Sequence, residues 1–172
     1  MKIALLVVIS LVGLLVLAGL VLFFIGRSLP ERHTTRLTVV LPAARPAVWA
    51  VITDYARMPE WWPAVKGVRA ETRPNGEVWT WNKDAHGQEI AFRTKEELVP
   101  ARLVREIMGD DLPFGGTWTF ELADQGGGTQ LTITEDGFIK PPLFRVIAQY
   151  FIGLDATLKS FSASLEKRIA AR

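Results

Sequence analysis

The chain has 172 residues and no cysteine, so disulfides and thiolate chemistry are absent from it. Of its 20 Lys and Arg, Lys2 stands before the first apolar run, which leaves 19 against the 18 Asp and Glu. A balance that close to zero excludes a nucleic-acid binder working through a strong basic field.

Ile3 to Ile25 is an unbroken apolar or small run interrupted only by Ser10, about the ~20 residues a helix needs to cross a bilayer. A secretory signal peptide has a shorter apolar core of ~7–15 residues and then a small-x-small cleavage site. Here the run is longer and ends in Leu-Phe-Phe-Ile-Gly-Arg, and Gly19 is followed by Leu20 where a lipoprotein would carry Cys. The reading is an uncleaved, single-pass anchor over 1–26, with the membrane contacted through residues 3–25. The C-terminal flank carries Arg27, Arg32 and Arg36 against Glu31. Positive-inside counting therefore favours, by a small margin, a cytoplasmic soluble part. Residues 27–35 read as a polar linker whose ~9 residues reach at most ~30 Å. The domain then runs over 36–172, a size suited to one core.

Arg36–Leu41 reads as a strand with Leu37, Val39 and Leu41 on one face. Pro46 opens a short helix over 47–53, and a second turn carries Met58, Trp61 and Trp62 between Pro59 and Pro63. Strands follow over 65–72, 78–82, 89–97, 103–108, 117–122 and 129–135, with Asn75-Gly76 supplying a tight hairpin turn. Short connections make such a sheet of about seven strands antiparallel. After Pro141-Pro142 the period changes. Phe144, Ile147, Phe151, Leu154, Leu158, Phe161, Leu165 and Ile169 fall on one stripe of a long helix, which Gly153 can bend. The fold class is α+β, a curved antiparallel sheet around one long C-terminal helix.

That order of elements, with Pro42, Pro46, Val48-Trp49, Asp54, Pro59, Trp61 and Gly128-Thr129, resembles the START-like helix-grip superfamily. Polyketide cyclase/dehydrase-like proteins, plant pathogenesis-related proteins and lipid-transfer domains belong to that group. The resemblance implies a cavity between sheet and long helix that takes lipids, sterols, quinones or polyketides, with the two short helices at its mouth. No cofactor is expected. It also places Trp61 and Trp62 at the rim, one ring packing into the core and the other facing the entrance.

Catalytic groups are few. His33 falls in the linker and His86 in a hairpin turn, so neither a metal centre nor a histidine acid–base pair is expected. Strand alternation points Arg105 inward with Leu103 and Ile107, Glu135 inward with Leu131 and Ile133, and Trp118 and Phe120 inward with Leu122. Arg105 and Glu135 could thus meet as a buried pair that orients a polar ligand head. Phe92 lies in phase with Ile90. Trp81, beside Trp79 on one face, fits either the cavity wall or an outer aromatic ladder. Phe138 is placed to gate the second side of the mouth, and Phe151, Leu154 and Leu158 to face the cavity from the helix.

The leading expectation is a membrane-anchored binding domain for a hydrophobic small molecule. Its alternatives are a cyclase or dehydratase using Arg105 and Glu135, and a module that holds a protein partner at the membrane.

Overall fold

The computed structural model describes residues 2–109 and 111–171. It opens with α1 (Lys2–Ser28), which holds an 18-residue window of mean hydropathy 3.1 within Ile3–Ser28 and is long and apolar enough to cross a membrane. A helix closes its backbone hydrogen bonds on itself, which makes it one of two structures able to do so. The linker expected over 27–35 is much shorter. The helix continues through Ser28 and strand β1 (Arg32–Leu41) starts at once, leaving residues 29–31 between them. Arg32–Thr35 are drawn into the sheet because each pairs with a residue of the last strand, from Arg32 opposite Phe138 to Thr35 opposite Glu135. His33, expected in the linker, is therefore a strand residue.

The other strands are β2 (Gly67–Thr72), β3 (Val78–Lys83), β4 (Glu89–Leu98), β5 (Arg102–Met108), β6 (Phe114–Gln125) and β7 (Gly128–Ile139). They form one seven-stranded sheet in the order β1-β7-β6-β5-β4-β3-β2, antiparallel throughout. Exposure alternates along β1 up to fully buried Leu41, the signature of a sheet with one covered face. The register shifts between Thr94 and Glu96 on β4, a bulge that re-aims the rest of that strand.

Two short helices, α2 (Arg45–Thr53) and α3 (Met58–Trp61), cross from the far end of β1 back to the start of β2. Each has a proline in its first turn, where the missing N–H has no helical partner to lose. The cover of the sheet is α5 (Ala156–Ala170), which buries Leu158, Phe161, Leu165 and Ile169 at three- and four-residue steps. The continuous helix expected after Pro142 is in fact two helices. A short α4 (Pro142–Ile147) widens into a π-type turn over 148–152 and stops at Gly153, whose φ of 92° is one that L side chains rarely adopt. The stripe that looked continuous in sequence is thereby split. Its second half covers the sheet, while Phe144 and Phe151 of its first half are uncovered by the rest of the protein.

Phe161 is the centre of the core. Its ring meets Trp61, Trp62, Trp118 and Phe120 at centroid distances of 5.3, 5.1, 5.7 and 5.6 Å, the first three edge-on. Edge-to-face contacts of this kind add to plain burial. Truncation of a buried Phe costs about 3–5 kcal/mol, and Phe161→Ala is predicted to fall in that range. Denaturant unfolding followed by the fluorescence of the six tryptophans measures it, and a loss well under that range would remove Phe161 from the centre.

Candidate ligand cavity

Between the sheet, the two short helices and the start of α5 lies a cavity of about 330 Å³, within the size range of small-molecule sites. Its wall is mostly apolar. Tyr55 and Met58 come from the short-helix segment, Ile90 and Phe92 from β4, Leu103 and Ile107 from β5. Phe114, Trp118 and Phe120 of β6 and Phe161 of α5 complete it.

Trp62 is on this wall and Trp61 is not. Both rings are buried, at 8% exposure for Trp61 and 9% for Trp62. The Trp62 ring stands 6.2 Å from Trp118, and its indole N–H donates to Ser160 Oγ at 3.4 Å. The tight Met58–Trp61 turn decides this division: Trp61 is its last helical residue, and Trp62 turns into extended backbone at its end.

Arg105 and Glu135 of the cavity lie in one row across the sheet, whose end members Thr35 and Thr94 are outside the cavity wall. Register places Thr35 of β1 beside Glu135 of β7, Glu135 beside Trp118 of β6, Trp118 beside Arg105 of β5, and Arg105 beside Thr94 of β4. Arg105 and Glu135 both line the cavity, but the ion pair expected between them does not form. Two strand spacings of ~4.8 Å hold their backbones roughly 10 Å apart, with the Trp118 indole between. Arg105 is 7% exposed. It donates from Nη2 to Thr80 Oγ1 at 2.7 Å and lies over the Tyr55 ring at 4.2 Å. Burial lowers its pKa from the ordinary value, and Tyr55 counters that. Burial raises the Glu135 carboxyl, against a lowering contribution from the Trp118 indole. Glu135 Oε2, Arg105 Nε, Thr35 Oγ1, Thr94 Oγ1 and the wall residue Asn82, at Oδ1, have no hydrogen-bond partner within the protein.

The remaining sequence-derived candidates lie elsewhere. Trp81 is on the outer face, 6.1 Å from Trp79 and under the Arg69 guanidinium at 3.6 Å. The same alternation turns Thr80 and Asn82 inward. Phe138 is on the outer face too, packed where a side chain on Gly115 would sit, so it does not gate the mouth. Phe151 is 77% exposed. Leu158 is fully buried in the core without reaching the cavity, and Leu154 lines a separate open pocket with Thr35, Gln149 and Asp155. Tyr55, Thr80 and Asn82 were not singled out from the sequence; only settling which face Trp79 and Trp81 take would have exposed the last two. His33, which the sequence placed in a linker, belongs to β1. Its imidazole lies on the inner face beside Gly137, where an added Cβ would touch it and approach Glu135 Oε1. Burial lowers the His33 pKa while Asp136 raises it.

Among solved structures, a START superfamily protein from Mycobacterium smegmatis is 20% identical, with a TM-score of 0.61 over 81% of this chain and 98% of its own. The di-domain ARO/CYC StfQ of the steffimycin biosynthetic pathway is 14% identical, with a TM-score of 0.67 over 83% of this chain and 52% of its own. The Zhui aromatase/cyclase of a Streptomyces species is 15% identical, with a TM-score of 0.59 over 80% of this chain and 96% of its own. At these identities the likeness is one of fold. No curated protein matches the sequence. The family described as polyketide cyclase / dehydrase and lipid transport matches residues 41–154, from the end of β1 to the residue after Gly153. With that match over most of its length and this helix-grip architecture, the chain belongs to the polyketide cyclase / dehydrase and lipid transport family.

Proposed function

We propose that the protein is a membrane-anchored carrier or sensor for an amphipathic small molecule, with α1 as its anchor and the cavity as its site. The fold is consistent with a hydrophobic-ligand-binding domain. The observation that carries the finer reading is the set of unpartnered polar atoms on the wall of an apolar cavity. Each buried polar atom left without a partner costs about 1–3 kcal/mol, and Glu135, Arg105 and Asn82 each present one there. A ligand with an acceptor for Arg105 and a donor for Glu135 or Asn82 satisfies them. Its apolar body would gain roughly 25 cal/mol per Å² of surface buried, less the ordering costs. Lipids, isoprenoid alcohols and polyketide-like phenols have that form.

A second reading has one specific observation in its favour. A carboxyl that burial biases toward its protonated form shares the cavity with a buried guanidinium, an arrangement able to give a proton to one end of a substrate while polarising the other. Turnover of a polyketide-like substrate that disappears in Glu135→Gln would establish the enzyme in place of the carrier.

Native mass spectrometry of the full-length chain, released from detergent, is expected to show a co-purifying amphipathic mass. An apo mass that persists after incubation with membrane extract would discard the carrier and leave a protein-interaction module. The two tryptophans separate binding from packing. Trp61→Ala is predicted to lower the melting temperature while the folded fraction keeps its ligand, and Trp62→Ala to lower ligand occupancy at equal folded fraction. Equal effects of both on both readouts would remove that division.

Glu135 supplies a pH signature of the ligand-free protein. Because its folded pKa is raised from 4.5, the folded state holds this proton more tightly than the unfolded chain. The contribution to stability is complete below that value, declines as pH rises from 4.5 toward the raised pKa, and stays lost above it. Glu135→Gln should therefore gain stability over the wild type progressively across that window, read by denaturant midpoints at several pH values. A difference that does not change with pH would show that the carboxyl is not desolvated.

A further inference from the structure

The segment after Pro142 packs against the end of α1 yet leaves most of its apolar side chains uncovered. Leu143, Phe144, Tyr150, Phe151 and Ile152 are 46%, 49%, 63%, 77% and 65% exposed. The single charged residue between Pro142 and Ile152, Arg145, is turned away from this surface, with its side chain 12% exposed. Its guanidinium donates to the carbonyls of Ile139, Lys140 and Leu29 at 2.7, 2.7 and 3.3 Å, and to Glu31 Oε2 at 3.1 Å. One side chain thus ties together the exit of α1, the approach to β1, the end of β7 and α4. At Gly26 the contact is closer still: the residue is buried, and a Cβ there would overlap the Pro142 carbonyl.

We infer that the exposed face of residues 143–152 beds into the lipid of the same bilayer that α1 crosses, as a second membrane contact lying in the interface. This rests on the reading of α1 as a transmembrane anchor. An apolar patch of this kind on a water-soluble surface marks a site of association, and its position selects the partner. About 20 helical residues span the hydrocarbon, which brings the last turn of α1, with Arg27, to the headgroup level. The close approach at Gly26 sets Pro142 at that same level, and the Arg145 hydrogen bonds hold it there. Tyr150 offers the apolar ring and polar tip favoured at such a boundary.

The cavity wall reaches this edge. Phe114, on its wall and 37% exposed, pairs with Ile139, three residues before Pro142, and the Lys140 N–H donates to the Pro113 carbonyl at 2.8 Å. Lys83, Asp84, Ile90 and Ile107, which also line it, sit at or beside the strand ends on that side of the sheet.

The sequence has no cysteine, so single-cysteine variants report one position each. Full-length Phe151→Cys, Leu14→Cys and Val99→Cys proteins would carry an environment-sensitive fluorophore in vesicles of phosphatidylcholine and phosphatidylglycerol containing acyl-chain nitroxide lipid. Val99 is 68% exposed in the β4–β5 turn at the opposite end of the sheet. The expected result is loss of most emission at positions 151 and 14, with emission at 99 kept. Quenching at 14 alone, with 151 as water-exposed as 99, overturns the inference and leaves the anchor standing. A label at 151 shielded from water but not quenched also overturns it, in favour of a second copy of the chain. Absence of quenching at 14 removes the anchor and this inference together. The ligand reading is judged separately by the co-purifying mass.

Discussion

The structure depends on one contact, the insertion of Phe161 from α5 into a cage of aromatic rings contributed by the α3 turn and β6. A sheet with one apolar face needs a cover, and α5 supplies it through a stripe of four residues. Phe161 does more than cover. It separates a solid half of the interior, where Trp61, Leu158 and Leu165 pack, from an open half, where Trp62, Trp118 and Phe120 stand on the cavity wall. The ring that holds helix to sheet is also part of the cavity's surface, so binding and stability share an element.

The chemistry of the cavity follows from sheet spacing. Hydrogen-bonded neighbours in a sheet stand ~4.8 Å apart, so residues two strands away leave a gap that long side chains bridge only if the residue between them lets them. Arg105 and Glu135 are in that relation, with Trp118 between them. Their failure to pair keeps a donor and an acceptor free for something else. An adjacent arrangement would have given a closed ion pair, which specifies little about a ligand. Instead Arg105 is held by Thr80 and the Tyr55 ring with one N–H unused, and Glu135 keeps an oxygen unused.

The same economy of connection governs the link to α1. Residues 29–31 alone stand between helix and strand, and Arg145 bonds to Leu29 and Glu31 within that link and to Ile139 at the end of β7, so the domain is tied close to the end of the helix.

The sequence by itself determined the order of elements, the apolar N-terminal helix, the antiparallel sheet and its cover, and the inward parity of Arg105, Trp118, Phe120 and Glu135. Each follows from a period of two or of 3.6, or from turn chemistry, and these are local properties of a chain. Tertiary structure decided everything that depends on what lies across from a residue. It put Trp62, not Trp61, on the cavity, because a four-residue helix ends between them. It sent Trp81 and Phe138 to the outer face, where arginine stacking and a glycine opposite supply their neighbours. It separated Arg105 from Glu135 by one strand. And it divided the last apolar stripe at Gly153, because packing against α1 takes the first half and packing on the sheet the second, and one straight helix cannot do both.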